Sequence, residues 1–383
     1  MKVCVVTASR SEYGVLRWTL DEIRKSTVLE LQLVVTGGHL SPSQGTTVSF
    51  IEDDGFSIDA AIDMQLASDS PVAVAKSMGI CSMGVPDVFA RLKPDLLLVL
   101  GDRYELLPVC SAALVMSIPI AHISGGDVTK GAVDDQVRHA VSKMATLHFP
   151  ATSGSAERLR RMGERPDRIF TVGEPGLDNF HRLEAWPRER LSETLGLDVA
   201  RDWVLLTWHP ETTIDVLKNL EAIQEILEAL SEFGNIQVLA TYANADVGGD
   251  QLNKFLESWS AQCPQDVKVV KSLGQVRYLS MMGQVVLVVG NSSSGLIEAP
   301  FVPVRSLDIG HRQDGRYRAK SVTQCEAQRE EVRAAIIKCI ANDQSQQVLE
   351  RDVWYGDGFT APRIRSVLES FSEGLPKKFG FAD

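Results

Sequence analysis

The sequence predicts an α/β protein built as two doubly wound, Rossmann-like domains that face each other across a cleft. Three observations lead there. At 383 residues the chain is too long for one simple hydrophobic core. Short apolar runs alternate with longer amphipathic stretches, which is the pattern of parallel strands covered by helices. That alternation begins a second time beyond residues 173–187, where Gly173, Pro175, Gly176 and Pro187 cluster as turn formers.

In the first half, residues 3–7, 31–36, 96–101, 118–123 and 169–172 read as strands buried on both faces. Residues 15–24 read as a helix with Leu16, Leu20 and Ile23 on one face. In the second half, residues 203–207, 236–241, 267–270 and 285–290 read as strands. Residues 216–233 read as a helix, because Val216, Leu220, Ile223, Leu227 and Leu230 recur at three- and four-residue steps. The expected domains are residues 1–175 and 176–358, with a flexible tail at 372–383, where Gly374, Pro376 and Gly380 sit among lysines.

Lys and Arg number 39 against 50 Asp and Glu, a net charge of −11, which argues against a nonspecific nucleic-acid binder. No uncharged apolar run reaches the ~20 residues of a membrane span, and the N-terminal apolar run is too short for a signal peptide. Cys4, Cys81, Cys110, Cys263, Cys325 and Cys339 form no CxxC pair, so reduced thiols in a cytoplasmic protein are expected. No metal-ligand spacing, GxSxG elbow, GxGxxG or Walker loop is present, and neither a metal nor another cofactor is expected.

Doubly wound folds bind ligands at the carboxyl ends of their strands. After the first strand comes Thr7-Ala8-Ser9-Arg10-Ser11-Glu12-Tyr13-Gly14, where Arg10 stands at a helix start as a phosphate ligand, or else pairs with Glu12 on the surface. Gly101-Asp102-Arg103-Tyr104-Glu105 leaves the sheet with a carboxylate that serves catalysis, a ribose or a helix N-cap. The stretch from His122 to His139 crowds His122, Asp127, Asp134, Asp135, Arg138 and His139 around three glycines. Asp134 and Asp135 suit a helix N-terminus electrostatically. The rest of the cluster is what proton transfer at carbon requires. In the second half, His209 follows a strand end as a catalytic or structural histidine. Asn291-Ser292-Ser293-Ser294-Gly295 offers hydroxyls and N–H groups to a diphosphate, with Glu298 placed to reach vicinal ribose hydroxyls. Arg312 and Arg316 add positive charge nearby. Together these features describe an enzyme that binds a diphosphate ligand of the nucleotide-sugar kind.

From residue 1 to about 371 the chain resembles the hydrolysing UDP-N-acetylglucosamine 2-epimerase family of sialic- and legionaminic-acid pathways. The resemblance rests on Arg10-Ser11-Glu12-Tyr13-Gly14, Val35-Thr36-Gly37-Gly38-His39-Leu40-Ser41, Leu100-Gly101-Asp102-Arg103-Tyr104-Glu105, Gly125-Gly126-Asp127-Val128-Thr129, Gly290-Asn291-Ser292-Ser293-Ser294-Gly295 and Gly310-His311-Arg312-Gln313, in order and at family spacing. It implies a glycosyltransferase-B-like fold with the active site in the interdomain cleft and a C-terminal helix, near residues 359–371, crossing back onto the first domain. It implies a UDP-amino sugar substrate, UDP as product, and a homodimer or homotetramer. The reaction implied is elimination of UDP to a glycal, followed by hydration to the 2-epimeric free sugar.

Carried over position by position, the resemblance assigns UDP to Arg10, Ser11, Arg103, His209, Asn244, Leu273 (through its backbone), Ser292, Ser293, Glu298 and Arg312. It assigns the chemistry to Asp102 and Asp134, with His209 on the leaving group. One position departs from the pattern. Ser124 stands where well-known UDP-GlcNAc members carry a catalytic Glu. Either Asp127 or His122 then takes that role, or the substrate differs. A UDP-2,4-diacetamido-2,4,6-trideoxy-glucose fits, since Ser124 and Gly125 leave room for a bulkier C4 substituent. A glycosyltransferase or a non-catalytic nucleotide-sugar sensor would use the same fold, but neither needs so many proton-transfer groups on one loop.

Overall fold

The computed structural model describes residues 1–41, 47–68, 70–129, 133–211, 214–243, 248–344 and 349–372. The chain divides into two compact units. The first takes Met1–Asp127, Asp134–His181 and the chain from Trp354; the second takes Arg182–Val353 together with Val128 and Val133.

In the first unit, strands β1 (Lys2–Thr7), β2 (Glu30–Thr36), β3 (Ala60–Ile62), β4 (Leu96–Leu100), β5 (Ile120–Ile123) and β6 (Leu147–Phe149) alternate with helices α1 (Arg10–Lys25), α2 (Val48–Asp53), α3 (Pro71–Leu92), α4 (Leu106–Val115), α5 (Asp134–Met144), α6 (Ser153–Arg161) and α7 (Asn179–Arg182). The sheet order is β3-β2-β1-β4-β5-β6, and every pairing is parallel. One apolar layer packs α1 onto the sheet through Leu16, Leu20 and Ile23, and the other packs α3, α4 and α5 through residues such as Phe89, Val109 and Val141.

The second unit holds α8 (Arg188–Leu195), β7 (Asp202–Thr207), α9 (Val216–Ser231), β8 (Ile236–Thr241), α10 (Gly249–Gln262), β9 (Val267–Val270), α11 (Gly274–Met282), β10 (Leu287–Gly290), α12 (Glu298–Phe301), β11 (Ser306–Ile309), β12 (Val322–Cys325) and α13 (Arg329–Gln344). Its order, β12-β11-β10-β7-β8-β9, is the same winding met a second time, again all parallel. The predicted stripe on α9 is buried at Ile223, Leu227 and Leu230.

The last helix, α14 (Thr360–Ser370), belongs to the first unit and lies along α1, where Arg365 bonds Glu22 and Ser26 bonds Glu369. Its first turn is capped by a distant side chain. Asp178 accepts from the N–H groups of Thr360 and Ala361 at 2.8 and 2.9 Å, in the way an N-cap carboxylate does.

One strand expectation is corrected. Residues 169–172 form a single bridge, His148 with Ile169, and not a strand. The pairing strand there is β6, which Phe170 and Val172 follow only through N–H bonds to His148 O and Pro150 O. The chain then leaves the sheet at Gly173, whose φ is +97° and where a Cβ would lie 2.8 Å from Thr360 Oγ1. The expected tail at 372–383 falls outside the described residues apart from Ser372.

In a doubly wound sheet the loops leaving either side of the first strand diverge and open a crevice at its carboxyl end. Those strand pairs are β1/β4 in the first unit and β7/β10 in the second. They carry Arg10, Asp102, His209 and Ser292–Ser293, the residues that sequence reading singled out.

Candidate active site

In the first unit, Arg10 is the opening residue of α1, behind the N-cap Ser9, whose hydroxyl accepts Glu12 N–H at 3.3 Å. Its guanidinium lies 4.6 Å from the centre of the Phe50 ring. The surface pairing with Glu12 does not form. Glu12 turns inward, accepts Ala8 N–H at 2.7 Å and keeps Oε1 buried without a partner. Burial, with Glu105 close by, raises the Glu12 carboxyl to about 8. Ser11 is exposed, its hydroxyl 3.1 Å from that of Ser9.

Asp102 is not a helix cap. Helix α4 begins only at Leu106, after Glu105. Instead Asp102 accepts from Arg138 Nη2, and Arg138 is a buried side chain of α5. The carboxylate at the end of β4 is therefore oriented by a guanidinium from the next helix but one. Arg103 bonds the buried Glu105 through Nε and Nη2, both at 3.3 Å.

His122 lies on β5 with both ring nitrogens committed. Nε2 is 2.7 Å from Gly101 O, which can only accept, so that nitrogen carries the proton. Nδ1 is then the acceptor for Ser142 Oγ, 3.1 Å away. Burial drives the ring down to about 3, so it stays neutral. The ring thereby ties β4, β5 and α5 together.

Ser124 has a φ of +58°, a conformation that is costly for a side-chain-bearing residue. Its hydroxyl donates to Glu174 Oε2 at 3.2 Å. Glu174 was missed by sequence reading. It sits in a turn-forming stretch that reads as a hinge, and no motif spacing ties it to residue 124. The structure brings this carboxylate to Ser124, the position at which the resemblance implies a Glu.

Asp127 accepts from Ser155 Oγ in the first turn of α6, and Arg158 of the same helix bonds Gly126 O. The two glycines before it are steric requirements. A Cβ on Gly126, at φ +79°, would fall 2.4 Å from Ser155 O, and one on Gly125 would fall 2.9 Å from His122 Nδ1 and from Ser142 Oγ. Asp134 opens α5 at its first residue, half-buried, followed by Asp135, which pairs with His139 at 3.7 Å. The first unit thus carries Asp102 after β4, Asp127 and Asp134 after β5, and Glu174 beyond α6.

In the second unit, His209 and Asn291 clamp one another. His209 N–H donates to Asn291 Oδ1 and Asn291 Nδ2 donates to His209 O, each at 2.7 Å. Burial and the charge of Arg312 push the His209 imidazole down to about 3. It can offer a neutral N–H donor but no cationic charge. Arg312 Nη1 and Gln313 Nε2 both reach Asn291 O, at 3.3 and 2.8 Å.

The serine run lies in a short turn that leads into a short helix. Ser293–Gly295 is a 3-10 turn capped by Ser292, and α12 after it has four residues. A macrodipole needs more turns than this, so any anion there is held by local hydroxyl and N–H donors. Gly290 makes the turn possible: at φ +135°, a Cβ would lie 2.0 Å from Thr207 O.

Glu298 opens α12 with its Oε2 buried and without a partner. Burial lifts its carboxyl to about 7 against the opposing charge of Arg316. A buried acceptor left open is uncommon in folded proteins, and two vicinal hydroxyls would satisfy it. Arg316 also bonds Val128 O at 2.9 Å and Thr129 Oγ1 at 3.0 Å. Leu273 precedes α11, buried, with its carbonyl accepting Arg277 Nε at 2.6 Å. Asn244 lies outside the described residues. Among the described residues no group of three or more His, Cys, Asp or Glu side chains is placed to hold a metal ion.

Known proteins resemble this chain along most of its length. A protein of Campylobacter jejuni described as GDP/UDP-N,N'-diacetylbacillosamine 2-epimerase (hydrolyzing) is 36% identical over 325 residues, covering 85% of this chain and 84% of that one. A UDP-N,N'-diacetylbacillosamine 2-epimerase (hydrolyzing) of Legionella pneumophila is 32% identical over 96% of both chains. Among solved structures, UDP-GlcNAc 2-epimerase from Neisseria meningitidis bound to UDP-GlcNAc superposes with a TM-score of 0.82 at 17% identity, covering 97% of this chain and 100% of that one, a likeness of fold. The fold is accordingly glycosyltransferase-B-like, with two parallel six-stranded sheets. Residues 21–369 match the UDP-N-acetylglucosamine 2-epimerase family, and the chain belongs to that family.

Proposed function

We propose that this chain is a hydrolysing 2-epimerase of a UDP-2-acetamido sugar, and that its preferred substrate is UDP-2,4-diacetamido-2,4,6-trideoxy-glucose. The observation that carries the reading is the set of held carboxylates on the loops of the first unit, Asp102 on Arg138, Asp127 on Ser155 and Glu174 on Ser124. Inversion at C2 needs a base on one face of the sugar and an acid on the other. UDP leaves with the C1–O electron pair while a carboxylate takes the C2 proton, giving a glycal. Water then adds its oxygen at C1, and a proton returns to C2 from the opposite face. The products are UDP and the free 2-epimer.

Asp102 and Asp134 are assigned to these proton transfers, with Asp127 or Glu174 completing the pair. Arg10, Arg103, Arg312, Ser292 and Ser293 are assigned to the diphosphate, where preorganised donors stabilise the leaving group. Neutral His209 is assigned an N–H donated to the same group. The names of the two relatives support the 2,4-diacetamido sugar, and a small Ser124 is consistent with its second acetamido group.

The reading is tested by proton NMR in D2O with UDP-GlcNAc and, separately, with the UDP-2,4-diacetamido sugar. The expected result is UDP release and free 2-epimer bearing deuterium at C2, faster from the diacetamido donor. Intact donor in both tubes would overturn the epimerase in favour of a transferase awaiting an acceptor. Arg10→Ala and Ser293→Ala should each weaken UDP binding by roughly ten- to hundredfold, the worth of a hydrogen bond to a charged phosphate. An unchanged dissociation constant by calorimetry removes the cradle assignment.

Glu298 gives a pH signature. Its carboxyl is lifted to about 7 in the folded protein, and hydroxyl donors from a ribose favour the ionised form, so binding releases a proton. Uridine, which does not titrate in this range, should bind more tightly as pH rises through about 7 and level off above it. Glu298→Gln should bind more weakly and show no such rise. The sign for stability is opposite. A raised carboxyl contributes most below its unfolded value of 4.5, and that contribution is lost as pH climbs to about 7.

A further inference from the structure

The reaction proposed above assigns Asp102 and Asp134 to proton transfer and leaves one further place to Asp127 or Glu174. Asp127 is committed to the fold. It is 8% exposed, and its carboxylate accepts from Ser155 Oγ in the first turn of α6, while Arg158 of the same helix closes on Gly126 O. Ser155 is itself 2.9 Å from Thr152 Oγ1, the cap of that helix. The Asp127 carboxylate thus belongs to the network that starts α6.

Glu174 is placed differently. Its backbone is fixed by a close crossing of two chain segments. A Cβ on Gly356, at φ +120°, would lie 2.9 Å from Gly173 Cα and 3.4 Å from Glu174 N, and Glu174 N–H donates to Tyr355 O at 2.7 Å. The turn Pro175–Asp178 starts next to it, yet the Glu174 side chain does not cap that turn. The carboxylate is half-buried and reaches across to the loop after β5, where Ser124 Oγ donates to Oε2 at 3.2 Å. A buried hydroxyl on one oxygen gives a long side chain a direction, as the support of a reacting group must. The hydroxyl belongs to a residue held at φ +58°, and costly backbone of this kind clusters at working sites.

We propose that Glu174 is the group that returns a proton to C2, with Ser124 as the residue that positions it. The inference rests on the epimerase reading and selects between its two candidates. Asp102, bonded to Arg138, takes the C2 proton as UDP leaves with the C1–O pair, and the glycal forms. In the second half the Glu174 carboxyl proton passes to C2, and the electron pair of the C1=C2 bond becomes the new C2–H bond. A water oxygen bonds C1, and the proton that this water sheds goes to the Glu174 carboxylate, which restores it. Because side chains 124 and 174 meet at one point, a carboxylate built from either residue reaches the same place.

The test is proton NMR of the full chain in D2O, following UDP, the glycal and the free 2-epimer separately in the parent and in Glu174→Gln. Gln keeps the size of the side chain and an oxygen for the Ser124 hydroxyl, but it has no acidic proton to give. UDP should still be released and should bind as in the parent. Formation of the 2-epimer should fall by about two to four orders of magnitude, and the glycal should accumulate, seen by its vinyl proton at C1. Asp102→Asn, by contrast, should slow UDP release itself and build up no glycal. Ser124→Glu added to Glu174→Gln should regain 2-epimer from UDP-GlcNAc by tenfold or more over Glu174→Gln alone, a rescue that a merely structural role does not give. Glu174→Gln that forms 2-epimer at the parent rate overturns the proposal. So does a loss in which UDP release and 2-epimer formation fall together, or glycal accumulating in Asp127→Asn in place of Glu174→Gln. A parent that leaves both donors intact overturns the epimerase reading itself, an outcome distinct from all of these.

Discussion

Asp102→Asn should lower turnover by about two to four orders of magnitude, the usual contribution of a positioned acid or base, while UDP binds as before. Asn keeps the size of the side chain and an oxygen for Arg138 Nη2, which holds Asp102 in the parent. It cannot take a proton from C2. Because Asp102 is not the cap of α4, the loss cannot be traced to a loosened helix. Asp134→Asn should act in the same direction on turnover. It should also cost the few tenths to 1 kcal/mol that a first-turn carboxylate gives a helix, since Asp134 opens α5. Steady-state rates and UDP calorimetry on both variants separate the outcomes. If both lose UDP affinity, these residues are nucleotide ligands and the proton-transfer assignment fails. Arg138→Lys provides a further check: Arg138 acts through Asp102, so it should lower kcat and leave the UDP dissociation constant in place.

The strands that form the centre of each sheet were legible because a strand buried on both faces has to be apolar throughout. Val3, Cys4, Val5 and Val6, or Leu96 to Val99, are all buried and allow no other reading. Four strands escaped, β3, β6 and β12 at sheet edges and β11 beside β12. They are three or four residues long, and runs that short carry little periodicity. The sheet order was equally hidden, because both units share one winding with no repeat of sequence between them. The strand ends were legible too: Asp102 follows β4 and His209 follows β7, as the apolar runs before them indicate.

They did not reveal protonation. His122 reads as one polar residue among acids, and the partners that hold its ring, Gly101 O and Ser142 Oγ, arrive from elsewhere in the chain. Glu12 looks like the partner of Arg10 and instead faces inward onto Ala8 N–H. Such partners are set by folding at long range, and a single sequence carries no local trace of them.

Ser124→Glu should erase the preference for the 2,4-diacetamido sugar in the proposed reaction. The site leaves little latitude at this residue. Ser124 is 8% exposed, has a φ of +58°, and donates its hydroxyl to Glu174 Oε2 at 3.2 Å. A glutamate there loses the donor and sets a second carboxylate against the first, and like charges in a buried site repel strongly. It also fills the space assigned to the C4 acetamido group. Two effects therefore fall on the diacetamido sugar, displacement and repulsion, whereas UDP-GlcNAc, with only a hydroxyl at C4, meets the repulsion alone. The ratio of kcat/KM values for the two donors should drop by roughly tenfold or more, in the range that a misfitting group costs in a shaped pocket. Glu174→Gln tells the two effects apart. Placed in the Ser124→Glu background it relieves the repulsion and should recover turnover of UDP-GlcNAc, while the diacetamido sugar stays excluded by size. Equal ratios in the parent and in Ser124→Glu would show that residue 124 does not read the sugar, and the substrate assignment would lose its structural support.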